Sequence, residues 1–599
     1  MKKRILQFLT TYFLFVLLFV LQKPIFMAYY HELYTDASIG DYFSVMWHGL
    51  PLDFSLAGYL TAIPGFLLIA SAWTKSSILR RIRQGYFGII AFVMSCIFIV
   101  DLGLYGFWGF RLDATPIFYF FSSPKDAMAS VSFWFILLGI LAMLIYAAIL
   151  YGIFYAVLIR EKAPLKIPYQ RQYVSLVLLL LTAALFIPIR GGFSVSTMNL
   201  SKVYYSQNQR MNHAAINPAF SFMYSATHQN NFDKQYRFMD PKVADELLTE
   251  MLDKPVAVTD SIPQILNTQR PNIIFIILES FSTHLMETMG GQPNVAVNMD
   301  KFGKEGVLFT NFYANSFRTD RGLASIISGY PGQPSTSIMK YPEKTDGLPS
   351  IPRSLKNAGY SLEYYYGGDA DFTNMRSYLV SSGIEKIISE TDFPLSERPG
   401  KWGAPDHALF QRFLKDLKEE KQQEPFFKIV QTSSSHEPFE VPFYRLDDKV
   451  LNAFAYADSC VGDFVRQYKE TPMWKNTLIV LVPDHLGAYP RPVENPLEGH
   501  TIPLILIGGA VKEPRVVDTY ASQIDIAATL LSQLGLPHDD FTFSKNIFNP
   551  SSPHFGYFTE PTLFGMVTAE NQLVYNLDAN TVQIDEGTEK GANLEKGKA

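Results

Sequence analysis

Apolar residues crowd the first 190 positions of the chain, in runs at residues 5–21, 50–73, 86–107, 131–159 and 173–189. Each is near the length of about 20 residues that carries a helix across a bilayer. The pattern predicts five membrane spans, the first kept as an uncleaved span because no small-residue cleavage site follows it. Past residue 190 the pattern changes. Residues 191–270 are polar and irregular, rich in Asn, Gln, Ser and Tyr, with one amphipathic stretch at 241–252, and read as an extracytoplasmic connector. From Pro271 onward, short β-rich runs alternate with helical ones, the pattern of parallel strands with helices on both faces. The expected organisation is a five-helix transmembrane domain at 1–190, a connector at 191–270, and an α/β domain with a mostly parallel central sheet at 271–599.

Charge gives this arrangement an orientation. Lys2, Lys3 and Arg4 precede the first run; Lys75, Arg80, Arg81 and Arg83 lie between the second and third; Arg160, Lys162, Lys166 and Arg171 lie between the fourth and fifth. Basic loops stay on the cytoplasmic side, so the N-terminus is expected inside a cell membrane and everything after residue 190 outside the cytoplasm. A net charge of -5 over 599 residues gives no reason to expect a nucleic-acid surface. The two cysteines, Cys96 and Cys460, offer neither a disulfide framework nor a thiolate metal site, so a bound metal would need oxygen and nitrogen ligands. Asp53 and Asp101 fall in or beside apolar runs, where an ionisable group marks either function or a helix-to-helix hydrogen bond. The sequence shows no obvious partner for either.

Candidate chemistry collects at strand ends. Residues 272–278 form a nearly unbroken apolar run ending in Glu279-Ser280; 426–431 ends in a hydroxyl-rich loop with His436; 477–482 ends in Pro483-Asp484-His485. Continuous apolar runs imply strands buried on both faces, and open α/β sheets bind ligands beyond the carboxyl ends of their strands. A fourth segment, 315–322, follows the strand-like 307–313 and opens a helical run with Thr319 at its start, a position that favours attack on phosphate. Glu279, Asp484 and His485 supply ligand types suited to Zn²⁺ or Mn²⁺, and Thr319 could complete the shell as an alkoxide, activated by the same cation. Arg318 and Arg321 could contact phosphate, or pair with Asp320 or a surface carboxylate. His436 reads as a general acid or phosphate donor, or as a strand-end histidine capping a carbonyl.

These residues resemble a known family. Asn217-Pro218-Ala219-Phe220-Ser221-Phe222, Asn272-Ile273-Ile274 leading to Leu278-Glu279-Ser280, the Thr319 segment, Lys401-Trp402-Gly403 with Asp406, Ser435-His436-Glu437-Pro438-Phe439 and Pro483-Asp484-His485 are similar to the lipoteichoic acid synthase type of phosphoglycerol transferase, in the sulfatase and alkaline phosphatase superfamily. The resemblance implies one Mn²⁺ or Zn²⁺ held by Glu279, Thr319, Asp484 and His485, with Thr319 as the covalent nucleophile and His436 on the substrate. It implies phosphatidylglycerol as donor and an extracytoplasmic glycan or polymer as acceptor. The family's head-group string carries a tryptophan and an arginine, whereas Asp371-Phe372-Thr373-Asn374-Met375-Arg376 lacks the tryptophan and has its arginine displaced by one. Asn374 and Arg376 are the corresponding substrate-side candidates, and His500 a substrate or structural histidine. Three alternatives stand beside this: a phosphoethanolamine transferase, whose disulfide-rich domain has no counterpart here; a phosphodiesterase of the same fold using water; and a non-catalytic scaffold. A formylglycine sulfatase is excluded, because no Cys-x-Pro-x-Arg or Ser-x-Pro-x-Arg string occurs at 316–321.

Overall fold

Long runs of Leu, Ile and Phe satisfy their backbone polar groups as helices wherever they must lie in lipid. In the computed structural model, five helices are long and apolar enough to cross a membrane: Lys2–Tyr29, Leu50–Ala70, Ser77–Gly106, Phe133–Ile159 and Arg171–Arg190. The structure describes all residues except 75–76, 115–132, 161–166, 207, 229–235, 258–260, 401, 420–421 and 490–494. Lys75, Lys162, Lys166, Lys401 and the start of the fourth apolar run, Val131 and Ser132, lie outside the described residues.

The chain divides into two compact units, Met1–Asn230 and Asn231–Ala599. The stretch expected as a connector is shared between them. Its first part folds into the helices Gln209–Ala215 and Pro218–His228 of the first unit. Its second part carries the helix Pro241–Met251 and then pairs Leu266 with Val511 in the second unit. The first part packs because its polar residues have work inside the helical unit. Asn217 Nδ2 donates to Asp53 Oδ1 at 2.9 Å, and the same carboxylate is 2.6 Å from Lys23 Nζ, with both side chains buried. Gly49 makes room for that lysine, since a Cβ there would lie 1.9 Å from Lys23 Cε. Asp101 has a partner as well. Arg111 Nη2 lies 2.8 Å from its Oδ2, Leu112 N donates to its Oδ1 at 2.8 Å, and Arg111 Nη1 donates to the His213 carbonyl at 2.9 Å.

The second unit is built on an eight-stranded sheet. In chain order its first nine strands are β1 (Asn272–Leu278), β2 (Val307–Phe309), β3 (Phe312–Tyr313), β4 (Ser361–Tyr366), β5 (Lys386–Ile388), β6 (Phe426–Gln431), β7 (Thr477–Pro483), β8 (Leu504–Ile507) and β9 (Arg515–Val517). The sheet runs β5-β4-β6-β1-β7-β8-β2-β9, parallel except at β8, which is antiparallel to both neighbours. β3 pairs instead with β10 (Ala521–Ser522). A second, antiparallel sheet follows: β11 (Gly556–Glu560), β12 (Leu563–Val567), β13 (Asn571–Asn576) and β14 (Thr581–Gly587).

The central strands read as continuous apolar runs because both faces are covered. Along β1, Ile273, Phe275 and Ile277 enter the core on one face, and Ile274, Ile276 and Leu278 enter the core on the other. β7 alternates the same way, with Leu478, Val480 and Val482 opposite Ile479 and Leu481. Two filled cores leave the strand ends as the place where polar side chains can gather.

Candidate active site and metal centre

β1 and β7 are parallel neighbours in a register that sets Leu278 beside Pro483, so the residues that follow, Glu279 and Asp484, leave the sheet side by side. The Asp484 amide donates to the Leu278 carbonyl at 3.0 Å and extends the pairing by one residue. Ser280 then turns sharply, with a left-handed φ of 56°. That turn sends its amide to Asp484 Oδ1 at 3.0 Å and its hydroxyl to Glu279 Oε1 at 2.7 Å. From β6, Thr432 Oγ1 accepts from the Glu279 amide at 3.0 Å, and Ser435 Oγ donates to the Glu279 carbonyl at 2.7 Å. Glu279 is held from both adjoining strands.

Thr319 arrives on the helix Thr319–Ser328, whose N-cap residue, Arg318, makes no side-chain cap. The opening N–H groups of such a helix have no partner within it. The helix is buried from Asp320 to Ser328 and approaches the end of β7 backbone to backbone at Gly322, where a Cβ would lie 1.6 Å from the Asp484 carbonyl oxygen. Only glycine permits that approach. It brings the Thr319 hydroxyl next to Asp484, where it favours the carboxylate's charged form.

Glu279, Asp484 and His485 place one ligand atom each within 4.8 Å of one another. His485 Nδ1 lies 2.9 Å from the Leu486 carbonyl, which can only accept, so Nδ1 carries the hydrogen. Nε2 then faces Glu279 Oε1 at 3.4 Å and Asp484 Oδ2 at 3.5 Å. The three converging atoms are acceptors unless a proton or cation joins them. The titration of the groups reflects that shortage of positive charge. Burial and the charge of Glu279 push the Asp484 carboxyl up. At Glu279 burial acts the same way, but His485, the charge of His436 and the Ser280 hydroxyl outweigh it and hold that carboxyl down. Burial would lower the His485 imidazole, and the two carboxylates override it and hold it up. Asp484 Oδ2 is buried and has no hydrogen-bond partner. A carboxylate oxygen without a hydrogen bond, an inward imidazole nitrogen whose proton a cation would displace and a second carboxylate form a donor set that fits a divalent cation of the Zn²⁺ or Mn²⁺ type.

The other expected site residues are placed as follows. His436 follows β6 and lies close enough to Glu279 to stabilise its charge. Arg318 is exposed beside Thr319. Arg321 is buried and engaged, with Nε donating to the Gln333 carbonyl at 2.8 Å and Nη1 lying 3.4 Å from Asp320. Arg376 pairs with Asp371 at 2.6 Å, and Asn374 is buried in a left-handed conformation, φ 63°. His500 is fully buried outside this cluster. Its Nδ1 meets the Ala314 carbonyl at 2.8 Å, its Nε2 meets Glu560 Oε1 at 3.2 Å, and its ring stacks on Phe558. Sequence reasoning gave no role to Ser280, Gly322, Asp406 or Trp402, all of which shape the site. A second polar residue after a buried strand, as at Ser280, was the available signal for the first; the rest depend on contacts made far along the chain.

Residues 271–536 match the sulfatase family model. The second unit therefore contains a sulfatase-like domain. Glu279, Asp484 and His485, the group that could hold a metal ion, all lie within the matched residues. A lipoteichoic acid synthase-like protein of Bacillus subtilis, YvgJ, is 23% identical over 311 residues, 46% of this chain and 50% of its own. Phosphoglycerol transferase I of Xanthomonas campestris pv. campestris is 24% identical over 320 residues, 49% of this chain and 45% of its own. The match thus spans about half the length of these curated relatives. Among solved structures, a protein in the alkaline phosphatase superfamily from Vibrio parahaemolyticus superposes with a TM-score of 0.53 and 25% identity, covering 61% of this chain and 95% of that one. The sulfatase-like domain therefore has the alkaline phosphatase-like architecture, with a mostly parallel central sheet.

Proposed function

We propose that the chain is a metal-dependent transferase that moves a phospholipid head group, phosphoglycerol from phosphatidylglycerol, to an extracytoplasmic glycan or polymer through a covalent Thr319 intermediate. The observation that carries this reading is the placement of Thr319 at an uncapped helix start, against Asp484 and the acceptor-only cluster it shares with Glu279 and His485. Relatives that include a phosphoglycerol transferase and a lipoteichoic acid synthase-like protein support the substrate class. The five apolar helices support a lipid substrate met at a membrane surface, with the basic loops inside and the sulfatase domain outside.

In this reading Glu279, Asp484, His485 and the Thr319 oxygen would hold one Mn²⁺ or Zn²⁺. When bound, the cation supplies Lewis acidity that makes a threonine hydroxyl competent at neutral pH and draws charge from a phosphoryl oxygen. The chain's residues do the rest. The Thr319 hydroxyl gives up its proton as Oγ attacks the phosphorus of the head group, the bond from phosphorus to the diacylglycerol oxygen breaks, and a proton passes to that oxygen as diacylglycerol leaves. The N–H groups at the helix start face the phosphate and favour its negative charge. His436 contacts the substrate and serves the proton transfer. An acceptor hydroxyl then attacks the phosphorus, the bond from phosphorus to Thr319 Oγ breaks, and the proton lost by the acceptor hydroxyl restores the Thr319 hydroxyl.

The test is the intact mass of the full-length protein after incubation with Mn²⁺ and either phosphatidylglycerol or phosphatidylethanolamine. The expected result is a glycerol phosphate adduct on the wild type and none on Thr319→Ala, which keeps its fold and loses turnover. A phosphoethanolamine adduct would change the head group, release of free head group without an adduct would make the protein a hydrolase, and an active Thr319→Ala would end the nucleophile assignment.

A further inference from the structure

The loop that carries His436 does not stand alone. The segment 402–406 braces it at both ends. At one end Asp406, the first residue of the helix Asp406–Glu419, accepts through Oδ1 from the Ser433 amide at 2.9 Å and the Ser434 amide at 3.2 Å, while its own amide donates to Ser434 Oγ at 2.9 Å. At the other end Trp402 Nε1 donates to the Glu437 carbonyl at 2.8 Å, and its ring lies 3.8 Å from the His436 ring, tilted by 39°. The bracing segment is itself fixed to the end of β4. The Ala404 amide donates to the Gly367 carbonyl at 2.9 Å, and Gly403, at φ 79°, lies so near that carbonyl that a Cβ would sit 2.1 Å from it.

The Glu437 carbonyl settles which histidine nitrogen is free. It accepts from Trp402 and also lies 3.1 Å from His436 Nδ1. A carbonyl oxygen has two lone pairs and no hydrogen, so both neighbours donate, and His436 carries its hydrogen on Nδ1. Nε2 is left as the nitrogen available to a substrate. We infer that Trp402 is a positioning residue for His436, holding the shared carbonyl in place through Nε1–H and covering one face of the imidazole so that the Nδ1–H tautomer is fixed. Phe372, from the segment that carries Asn374 and Arg376, packs edge-on against Trp402 at 6.2 Å. The aromatic residue beside the candidate head-group segment is thus supplied from residue 402.

This inference rests on the proposed role of His436 in transfer, and its test separates the two. Full-length Trp402→Ala, Trp402→Phe, His436→Ala and the double variant Trp402→Ala/His436→Ala are assayed for diacylglycerol release from phosphatidylglycerol in mixed micelles, with bound metal and melting temperature measured on each. Trp402→Ala is expected to lower kcat/KM about 10- to 100-fold, the scale for groups that orient a functional side chain, with metal content and melting temperature as in the wild type. Trp402→Phe, which keeps the ring cover and loses the donor, is expected to fall between the two and guards against a poorly folded alanine variant. In the His436→Ala background the Trp402→Ala loss should shrink to less than about 2-fold, because a residue acting through another has nothing left to position. A full, undiminished loss in that background overturns the inference, as does wild-type turnover in Trp402→Phe. Wild-type turnover in His436→Ala overturns the underlying reading instead.

Discussion

The two units each bury a cluster of charge, and they treat it in opposite ways. In the helical unit every buried charge of the pair sites is matched: Asp53 by Lys23 and Asn217, Asp101 by Arg111 and the Leu112 amide. In the sulfatase domain two carboxylates and an imidazole converge with their acceptor atoms inward, and one oxygen, Asp484 Oδ2, has no donor. A buried ion pair with all its hydrogen bonds made is a structural device whose loss leaves an uncompensated charge. A buried carboxylate oxygen without a partner is costly unless something else binds it. The difference separates the two clusters: the complete set of partners in the helical unit is packing, and the incomplete set, where metal-ligand types also converge, is the candidate ligand site.

Breaking the paired cluster should cost the most stability. Lys23→Met leaves Asp53 buried and alone, and is expected to destabilise the helical unit by about 3–5 kcal/mol, read by denaturant unfolding in detergent. Lys23→Met/Asp53→Leu should recover most of that loss; a double variant as unstable as the single one would mean that the pair is more than a packing device. Next comes the geometry of the unpaired cluster. Gly322→Ala must push the Thr319 helix off the Asp484 backbone, and displacements of about 1 Å cost about 100-fold in turnover. Its kcat should fall on that scale while bound metal persists. Unchanged kcat would mean that Thr319 needs no fixed distance from Asp484.

A smaller effect sharpens the comparison with one more buried carboxylate. Asp458 accepts from the Asn298 and Met299 amides at 3.0 and 2.9 Å, yet burial outweighs these bonds and pushes its carboxyl up to about 6. A carboxyl raised on folding binds more protons folded than unfolded, so its contribution is present at low pH and is lost as pH rises. The stability of the sulfatase domain should fall by roughly 2 kcal/mol between about pH 4 and 6 from this group. Asp458→Asn should flatten that slope in denaturant midpoints measured against pH, and an unchanged slope would assign it elsewhere.

Much of this was legible in the sequence because it rests on local patterns. The five apolar helices follow from run length alone. Glu279 and Asp484-His485 are visible because β1 and β7 are unbroken apolar runs, and such strands leave their first polar residues at the sheet edge. Contacts between distant segments were not legible. Asp53 seemed partnerless because its lysine lies 30 residues away on another helix, and Asn217 looked like part of a connector because nothing nearby reveals Asp53 as its target, 164 residues off. The same limit hid the commitment of Arg321 to the Gln333 carbonyl and the enclosure of His500 between Ala314 and Glu560. Trp402 was visible as a residue but not as the neighbour of His436, since only the folded chain brings 402 against 436.

The most direct test of the account is the metal content of full-length wild type and Asp484→Asn after dialysis against Mn²⁺ or Zn²⁺, with the melting transition of each recorded beside it. The account predicts one tightly held ion per wild-type chain, none in Asp484→Asn, and a variant that remains folded because the amide keeps an oxygen for the Ser280 amide and replaces only the oxygen, Oδ2, that had no donor. Equal metal in both proteins, or a variant that unfolds as Lys23→Met is expected to, would contradict it.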